Sequence, residues 1–457
     1  MEKSAEYQGY WWLPDEPEEE VPGTLKFDPD EGASLNLLGS FKGAEDFGLM
    51  LDLELILGRS AKGEPITLQH CGETESNPAI GRGFEISSFH ASTVFVGEHF
   101  QNPDDVGFEQ LIVEYQHLDA WAGISGFESG THPMMVRHTR PEPLTATVGG
   151  EYEVTLSFPS TLRSSSHEVT EVAITQRTEL AIKFPEKKSL EHLLNIAYRL
   201  QHLLSLGTGK SAHPVAVWGI TGSAGSTTGE AERVLVNYRS VARRGSDKKR
   251  PNRREMLFGL RDLPGGCGPT VERWLGRAEV LDLVNQLYLG TIYNPQSYIE
   301  QRFLNRVQAL EVYHRRAMTS SDLLDEEHER RKEEILEAVA DQHRDWLEER
   351  LRYSNEPNLR KRLREMFNEY PESVDLVVGN GKKERKSFIN RVVATRNYLT
   401  HFDQSLEPQA ARGVELYRIT EELRLLVEIR LLGEIGFEAE SIRERIKESA
   451  SALSFIH

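Results

Sequence analysis

Cysteine is scarce in this sequence: Cys71 and Cys267 are the only two in 457 residues. That excludes a disulfide framework, and neither thiol has the spacing of a zinc or redox motif. They read as reduced thiols of a cytoplasmic protein. No apolar run approaches the roughly 20 residues that span a bilayer, so no membrane association is expected. Met1-Glu2-Lys3-Ser4-Ala5-Glu6 lacks an apolar core and argues against a secretory leader. The 15 histidines include no His-Glu-x-x-His or comparable ligand set, and His70 beside Cys71 has no second pair. No metal and no cofactor are therefore expected. Positive charge is also in deficit, 54 Lys+Arg against 72 Asp+Glu, for a net charge of −18. A nucleic-acid binder that works through its global field is excluded. The deficit is uneven, however. Residues 1–290 carry 27 basic and 41 acidic side chains, residues 291–457 carry 27 and 31. Any contact with a polyanion must be local, and the C-terminal part is the less repulsive surface.

What is present suits a soluble globular chain: 38% hydrophobic and 28% charged residues, with length enough for two or three domains. The first half reads as β. Segments 24–28, 34–41, 47–57, 65–70, 84–97, 107–117, 143–158 and 167–184 hold alternating or β-branched apolar runs, separated by Gly, Pro and Asp/Asn clusters. Near Ser189 the period changes. Leu190, Leu193, Leu194, Ala197, Leu200 and Leu204 have the spacing of an amphipathic helix. Residues 207–270 are Gly-rich and read as irregular. From 271 the pattern is helical over 271–288, 296–318, 323–351, 358–369, 384–403, 410–435 and 438–449, with Pro295, Pro357, Pro371 and Pro408 between helices. The expected fold is α+β. A β-rich region over 1–188, an antiparallel sandwich or barrel, precedes a connecting region over 189–290 and an all-α bundle over 291–457.

Several patterns have competing readings. Gly207-Thr208-Gly209-Lys210-Ser211 ends like a phosphate-binding loop, but Leu204 stands where the motif needs glycine and no strand precedes it. Arg243, Arg244, Lys248, Lys249, Arg250, Arg253 and Arg254 form a basic cluster, either an RNA-positioning surface or a solvated loop. His314 reads as a structural histidine on a helix. Tyr10-Trp11-Trp12 reads as an anchor at the edge of a small β domain rather than a recognition surface.

The remaining pattern is Arg396-Asn397-Tyr398-Leu399-Thr400-His401 on a helical segment followed by a long apolar helix. One turn of about 3.6 residues separates Asn397 from His401, and an amide there can fix an imidazole's tautomer. RNA cleavage without metal needs a base for the 2′-hydroxyl, an acid for the leaving 5′-oxygen and a cation for the phosphorane. Histidine can serve as either proton-transfer group and arginine suits the phosphate. One helix supplies one histidine, so the chemistry predicts a two-fold dimer. The plainer reading is that His401 packs or caps the helix end while Arg396 pairs with a neighbouring acid.

This segment resembles the R-polar-x3-H motif of the HEPN superfamily. The helix Phe303-Leu304-Asn305-Arg306-Val307-Gln308-Ala309-Leu310-Glu311-Val312-Tyr313-His314-Arg315 resembles that of ApeA-type HEPN domains, and Gly9-Tyr10-Trp11-Trp12-Leu13-Pro14 with Gly23-Thr24-Leu25-Lys26-Phe27 is similar to the opening of ApeA N-terminal domains. The resemblance implies a metal-independent endoribonuclease of bacterial anti-phage defence that acts by abortive infection. Arg396 would stabilise the phosphate, His401 would be the catalytic histidine and Asn397 its polar support. Products would be a 2′,3′-cyclic phosphate and a 5′-hydroxyl. Expected partners are an RNA substrate, with transfer RNA a candidate, a second copy of the chain through the HEPN domain, and a phage-derived trigger. Two alternatives stand beside this one. The first is a non-catalytic HEPN protein that binds RNA or a partner protein, and the second is a β-rich ligand sensor with a helical dimerisation tail.

Overall fold

Alternate residues of the first strands turn apolar side chains inward, and these strands curl into a ring. The computed structural model of the chain describes residues 4–42, 49–77, 85–131, 134–164, 172–222, 232–239, 249–318 and 325–453. Strands β1 (Ala5–Trp12), β2 (Val21–Asp28), β3 (Gly32–Leu37), β4 (Asp52–Ser60), β5 (Pro65–Asn77) and β6 (Ile86–Val96) pair antiparallel in the circular order β1-β2-β3-β6-β5-β4. Closure satisfies both edges of the ring. Its core gathers Trp11, Leu25, Phe27, Leu35, Ile56, Leu68 and Phe89, all buried. Trp11 lies across β4 at Gly58, where a Cβ would come within 2.2 Å of the indole. Tyr10 points outward and Trp12 meets His99 edge-on at 5.4 Å. Of the triplet, Trp11 anchors the barrel interior, and β1 is not an edge strand, because it is paired on both sides.

One strand carries the fold onward. Ser87–Ala91 of β6 pair with β3, whereas Thr93–Val96 pair with β16. From there a sheet runs β16-β15-β7-β14-β11-β10, built from β7 (Gly107–Tyr115), β10 (Leu144–Val148), β11 (Tyr152–Ser157), β14 (Glu179–Ser189), β15 (Pro214–Ile220) and β16 (Val234–Tyr238). Two hairpins lie outside it, β8 (Phe127–Thr131) with β9 (Met134–His138) and β12 (Ser160–Ser164) with β13 (Val172–Gln176). Helix α1 (Leu118–Ala122) follows β7, and α2 (Leu190–Thr208), started by the Ser189 side chain, packs on β7 and β14. Gly207 lies inside α2 against Trp121 and Phe258, so the phosphate-loop lookalike is the end of a packed helix.

The stretch 207–270, expected to be irregular, supplies β15 and β16. Their apolar cores, Val215-Ala216-Val217-Trp218 and Val234-Leu235-Val236, are short and flanked by glycine-rich sequence, which hides them from a periodicity reading. The Gly222–Gly229 run falls, from 223, outside the described residues.

The chain divides into two units, Met1–Gly276 and Arg277–His457, whereas boundaries at 188/189 and 290/291 were expected. The helix expected over 271–288 breaks at this division. Helix α3 (Cys267–Gly276) is tied into the first unit by the Trp274 indole, which donates to the Arg199 carbonyl at 2.8 Å. Arg277 instead pairs with Glu434 of the second unit at 2.8 Å.

The second unit comprises α4 (Ala278–Tyr293), α5 (Ile299–Ala317), α6 (Asp325–Glu337), α7 (Asp341–Leu351), α8 (Leu359–Met366), α9 (Pro371–Val378), α10 (Lys382–His401), α11 (Gly413–Ile435) and α12 (Ala439–Leu453). Helix α11 is buried on nearly every side through its C-terminal half, from Leu423 to Ile435, and α5, α9 and α12 pack around it. Helix α9 was not expected. Pro371 opens it from the first helical position, where the missing N–H costs nothing, instead of separating helices. Among the described residues no helix is long and apolar enough to cross a membrane.

Candidate active site

Helix α10 turns Phe388, Ile389, Val392 and Thr395 to the core, positions one helical stripe apart. Thr395 pins it: its hydroxyl donates to the Arg391 carbonyl at 2.8 Å and accepts from the Ala411 amide at 2.9 Å. The neighbouring face presents Val393, Arg396 and Asn397 to a cleft of about 720 Å³ formed with α4, α5 and α8. His401 is the last residue of α10 and is exposed. The helix stops there because Phe402 takes a left-handed backbone, φ 52°, and its N–H reaches back to the Tyr398 carbonyl at 2.7 Å.

The Arg396 guanidinium is shared. One nitrogen donates to Asn397 Oδ1 at 3.0 Å and another to Glu311 Oε1, on α5, at 3.3 Å. The plainer sequence reading, an arginine paired with a neighbouring acid, describes this contact. The spacing predicts an Asn397–His401 contact that the structure does not contain. Arg396 occupies the amide oxygen, and among the described residues no hydrogen bond reaches the His401 imidazole. Beyond His401, Asp403 accepts from the Ser405 hydroxyl and amide, which hold its carboxyl below the usual range, with a smaller pull from His401.

The cleft carries more cations than the motif alone reveals. Arg315 of α5 and Arg360 of α8 line it, both exposed, with Gln308 and Asn358 beside them. Arg315 is held by Glu356, and Arg360 by Asn390. Buried Arg362 donates to Glu356 at 3.1 Å and to His314 Nδ1 at 3.2 Å. His314 Nε2 lies 2.7 Å from Glu365, and burial lowers the imidazole's pKa despite that bond. It is a structural histidine. Gln308, Glu311 and Arg315 recur every three to four residues along α5, a polar stripe that could have marked this wall in the sequence.

The basic cluster belongs to the first unit, whereas the cleft is lined by residues of the second. Arg243, Arg244 and Lys248 lie outside the described residues. Arg250 pairs with Asp119 at 3.1 Å, Lys249 precedes it, and Arg253 and Arg254 sit on an exposed turn. Among the described residues no group of three His, Cys, Asp or Glu side chains is arranged to hold a metal ion.

Two family models match the chain: ApeA N-terminal domain 1 over residues 6–274 and Apea-like HEPN over residues 304–441. No curated protein and no solved structure matches it. The second match contains Arg396, Asn397, His401 and most of the cleft wall, including Glu311, Arg315 and Arg360. With the first match spanning more than half of the sequence and the second covering the helical unit's centre, the chain belongs to the ApeA family of HEPN-domain proteins.

Proposed function

We propose that the chain is a metal-independent endoribonuclease that cleaves host RNA in a bacterial anti-phage, abortive-infection response. The observation that carries this reading is Arg396 in a cation-lined cleft, five residues before an exposed histidine at the end of the same helix. The phosphate of an RNA strand would replace Glu311 on Arg396, whose planar fork binds phosphate oxygens as it binds carboxylate. A 2′-hydroxyl then attacks the adjacent phosphorus as its proton passes to an imidazole. The bond to the 5′-oxygen breaks and that oxygen takes a proton, leaving a 2′,3′-cyclic phosphate and a 5′-hydroxyl. One His401 cannot act as base and acid in the same step, so the active form is a two-fold dimer that brings two His401 and two Arg396 to one strand. Transfer RNA is a fitting target for translation arrest. In this scheme the β-rich unit receives the phage signal.

A second reading, binding without cleavage, is favoured by the engagement of Arg396 with Glu311 and Asn397. The discriminating experiment challenges cells with phage and follows growth and total-RNA integrity with wild type and His401→Ala. Discrete cleavage in wild type alone supports the nuclease. Equal protection with intact RNA in both would replace it with the binding module.

A further inference from the structure

A second cleft, of about 570 Å³, lies within the first unit between the sheet and α2. Its sheet wall is a row of side chains set directly beside one another: Gln69 of β5 pairs with Thr93 of β6, which pairs with Tyr238 of β16. The row lies where β6 leaves the barrel and the open sheet begins. The opposite wall is a face of α2 bearing Tyr198 and Gln201, and the Tyr115 hydroxyl fixes that helix to the floor by donating to the Ala197 carbonyl at 2.7 Å. At the lip, His70 holds a left-handed backbone, φ 53°, which is costly for a residue with a side chain and clusters at binding sites.

We propose that this slot binds a nucleoside-class ligand, a small, uncharged, planar heterocycle with hydrogen-bonding edges. The volume falls in the range of small-molecule sites. Tyr198 is 42% exposed and rests on the His202 ring at 4.1 Å, so it offers a supported aromatic face for stacking. Gln69 and Gln201 face the slot from opposite walls with amide donors and acceptors, the complement of a base edge. Thr93 and Tyr238 add hydroxyls. Burial raises the Tyr238 phenol to about 12, so it keeps its proton. Charge sets the class. No lysine or arginine is among the described residues lining the slot, and the carboxylate present is Glu191 at the start of α2. Among the described residues a phosphate would meet no lysine or arginine there and would face that carboxylate, which disfavours nucleotides relative to nucleosides.

The test titrates the full chain with adenosine, guanosine, cytidine and uridine and with their monophosphates, by calorimetry and thermal shift. Wild type, Tyr198→Ala, Gln69→Glu and Arg396→Ala are compared, with circular dichroism confirming that each is folded. At least one nucleoside is expected to bind more tightly than its monophosphate. Affinity should fall about tenfold in Tyr198→Ala, the scale of one lost base stack, and be kept in Arg396→Ala. Gln69→Glu, which preserves shape, should weaken binding as well. The proposal is overturned if no nucleoside binds at millimolar concentration. It is also overturned if Arg396→Ala loses binding while Tyr198→Ala keeps it, which would put the ligand in the other cleft. Tighter binding of a monophosphate that depends on Tyr198 would overturn the uncharged class.

Discussion

The Glu311 carboxylate stands 3.3 Å from the Arg396 guanidinium, joining residues 85 positions apart at the wall of the candidate site. Both side chains are partly solvated, 23% and 32% exposed, so the pair stabilises the fold by about 1 kcal/mol or less. Its larger effect falls on any phosphate that needs the same guanidinium. Glu311→Gln should leave the melting temperature nearly unchanged and strengthen RNA binding several-fold. Filter binding to a labelled strand measures this, and weaker binding would mean that Glu311 orients Arg396 instead of competing for it.

His401→Ala should abolish cleavage, by roughly 10²- to 10⁴-fold, the usual contribution of a positioned proton-transfer group. Because the imidazole is exposed at a helix end, urea stability should change by no more than about 0.5 kcal/mol. Arg396→Ala should lose cleavage similarly. Cyclic-phosphate ends in a digest of end-labelled RNA report the chemistry, and unchanged cleavage in both variants would remove them from the reaction.

Arg360 and Arg315 are expected to bind phosphates flanking the one that is cut. Replacing either with alanine should weaken RNA binding and reduce the salt dependence of log K by roughly 0.7 for a single strand, with little change in the cleavage step itself. An unchanged salt slope would take that arginine off the RNA path.

Glu422, in a small cleft between α10 and α11, has its pKa raised to about 7, chiefly by burial, with Glu415 adding and Arg418, 3.7 Å away, opposing. The folded carboxyl thus keeps its proton where the unfolded one, at 4.5, has lost it. Its contribution is fully present below 4.5, is lost as pH rises to about 7, and is constant above; the whole effect is at most about 3 kcal/mol. Glu422→Gln should match wild type in acid and exceed it in stability at alkaline pH. Urea midpoints across that range give the difference curve, and a flat one would show the carboxylate to be solvated.

Gly58→Ala tests the barrel. The added Cβ would lie 2.2 Å from the Trp11 ring, and forced repacking in a filled core costs about 1–3 kcal/mol. An unchanged thermal midpoint would mean that Trp11 can move aside.

Some of this was legible in the sequence and some was not, for physical reasons. Helices α10 and α11 announce themselves through apolar spacing, and five of the six barrel strands through alternating or β-branched runs, whereas β1, Ala5–Trp12, was not among the expected strands. The motif Arg396-Asn397-x3-His401 fixes which residues share a helix, but not what they touch. Asn397 was free in the sequence to face His401, and it is the adjacent guanidinium that takes its oxygen. Glu311 could not be foreseen from a contact that closes only when α5 packs on α10. The strands β15 and β16 are too short, and too closely bordered by glycine, to register without the sheet that flanks them.

Placing His401 on the final residue of α10 has a thermal consequence. Helix ends fray at a free-energy cost near zero, well before the cooperative loss of the core. The imidazole is held there by a single terminal turn that closes through Phe402 in an unfavoured backbone conformation. On warming, such a turn is expected to loosen before the buried helix α11 does. On the nuclease reading, cleavage should then decline at temperatures below those that melt the fold, and a cleavage-temperature curve set beside the thermal midpoint would show it.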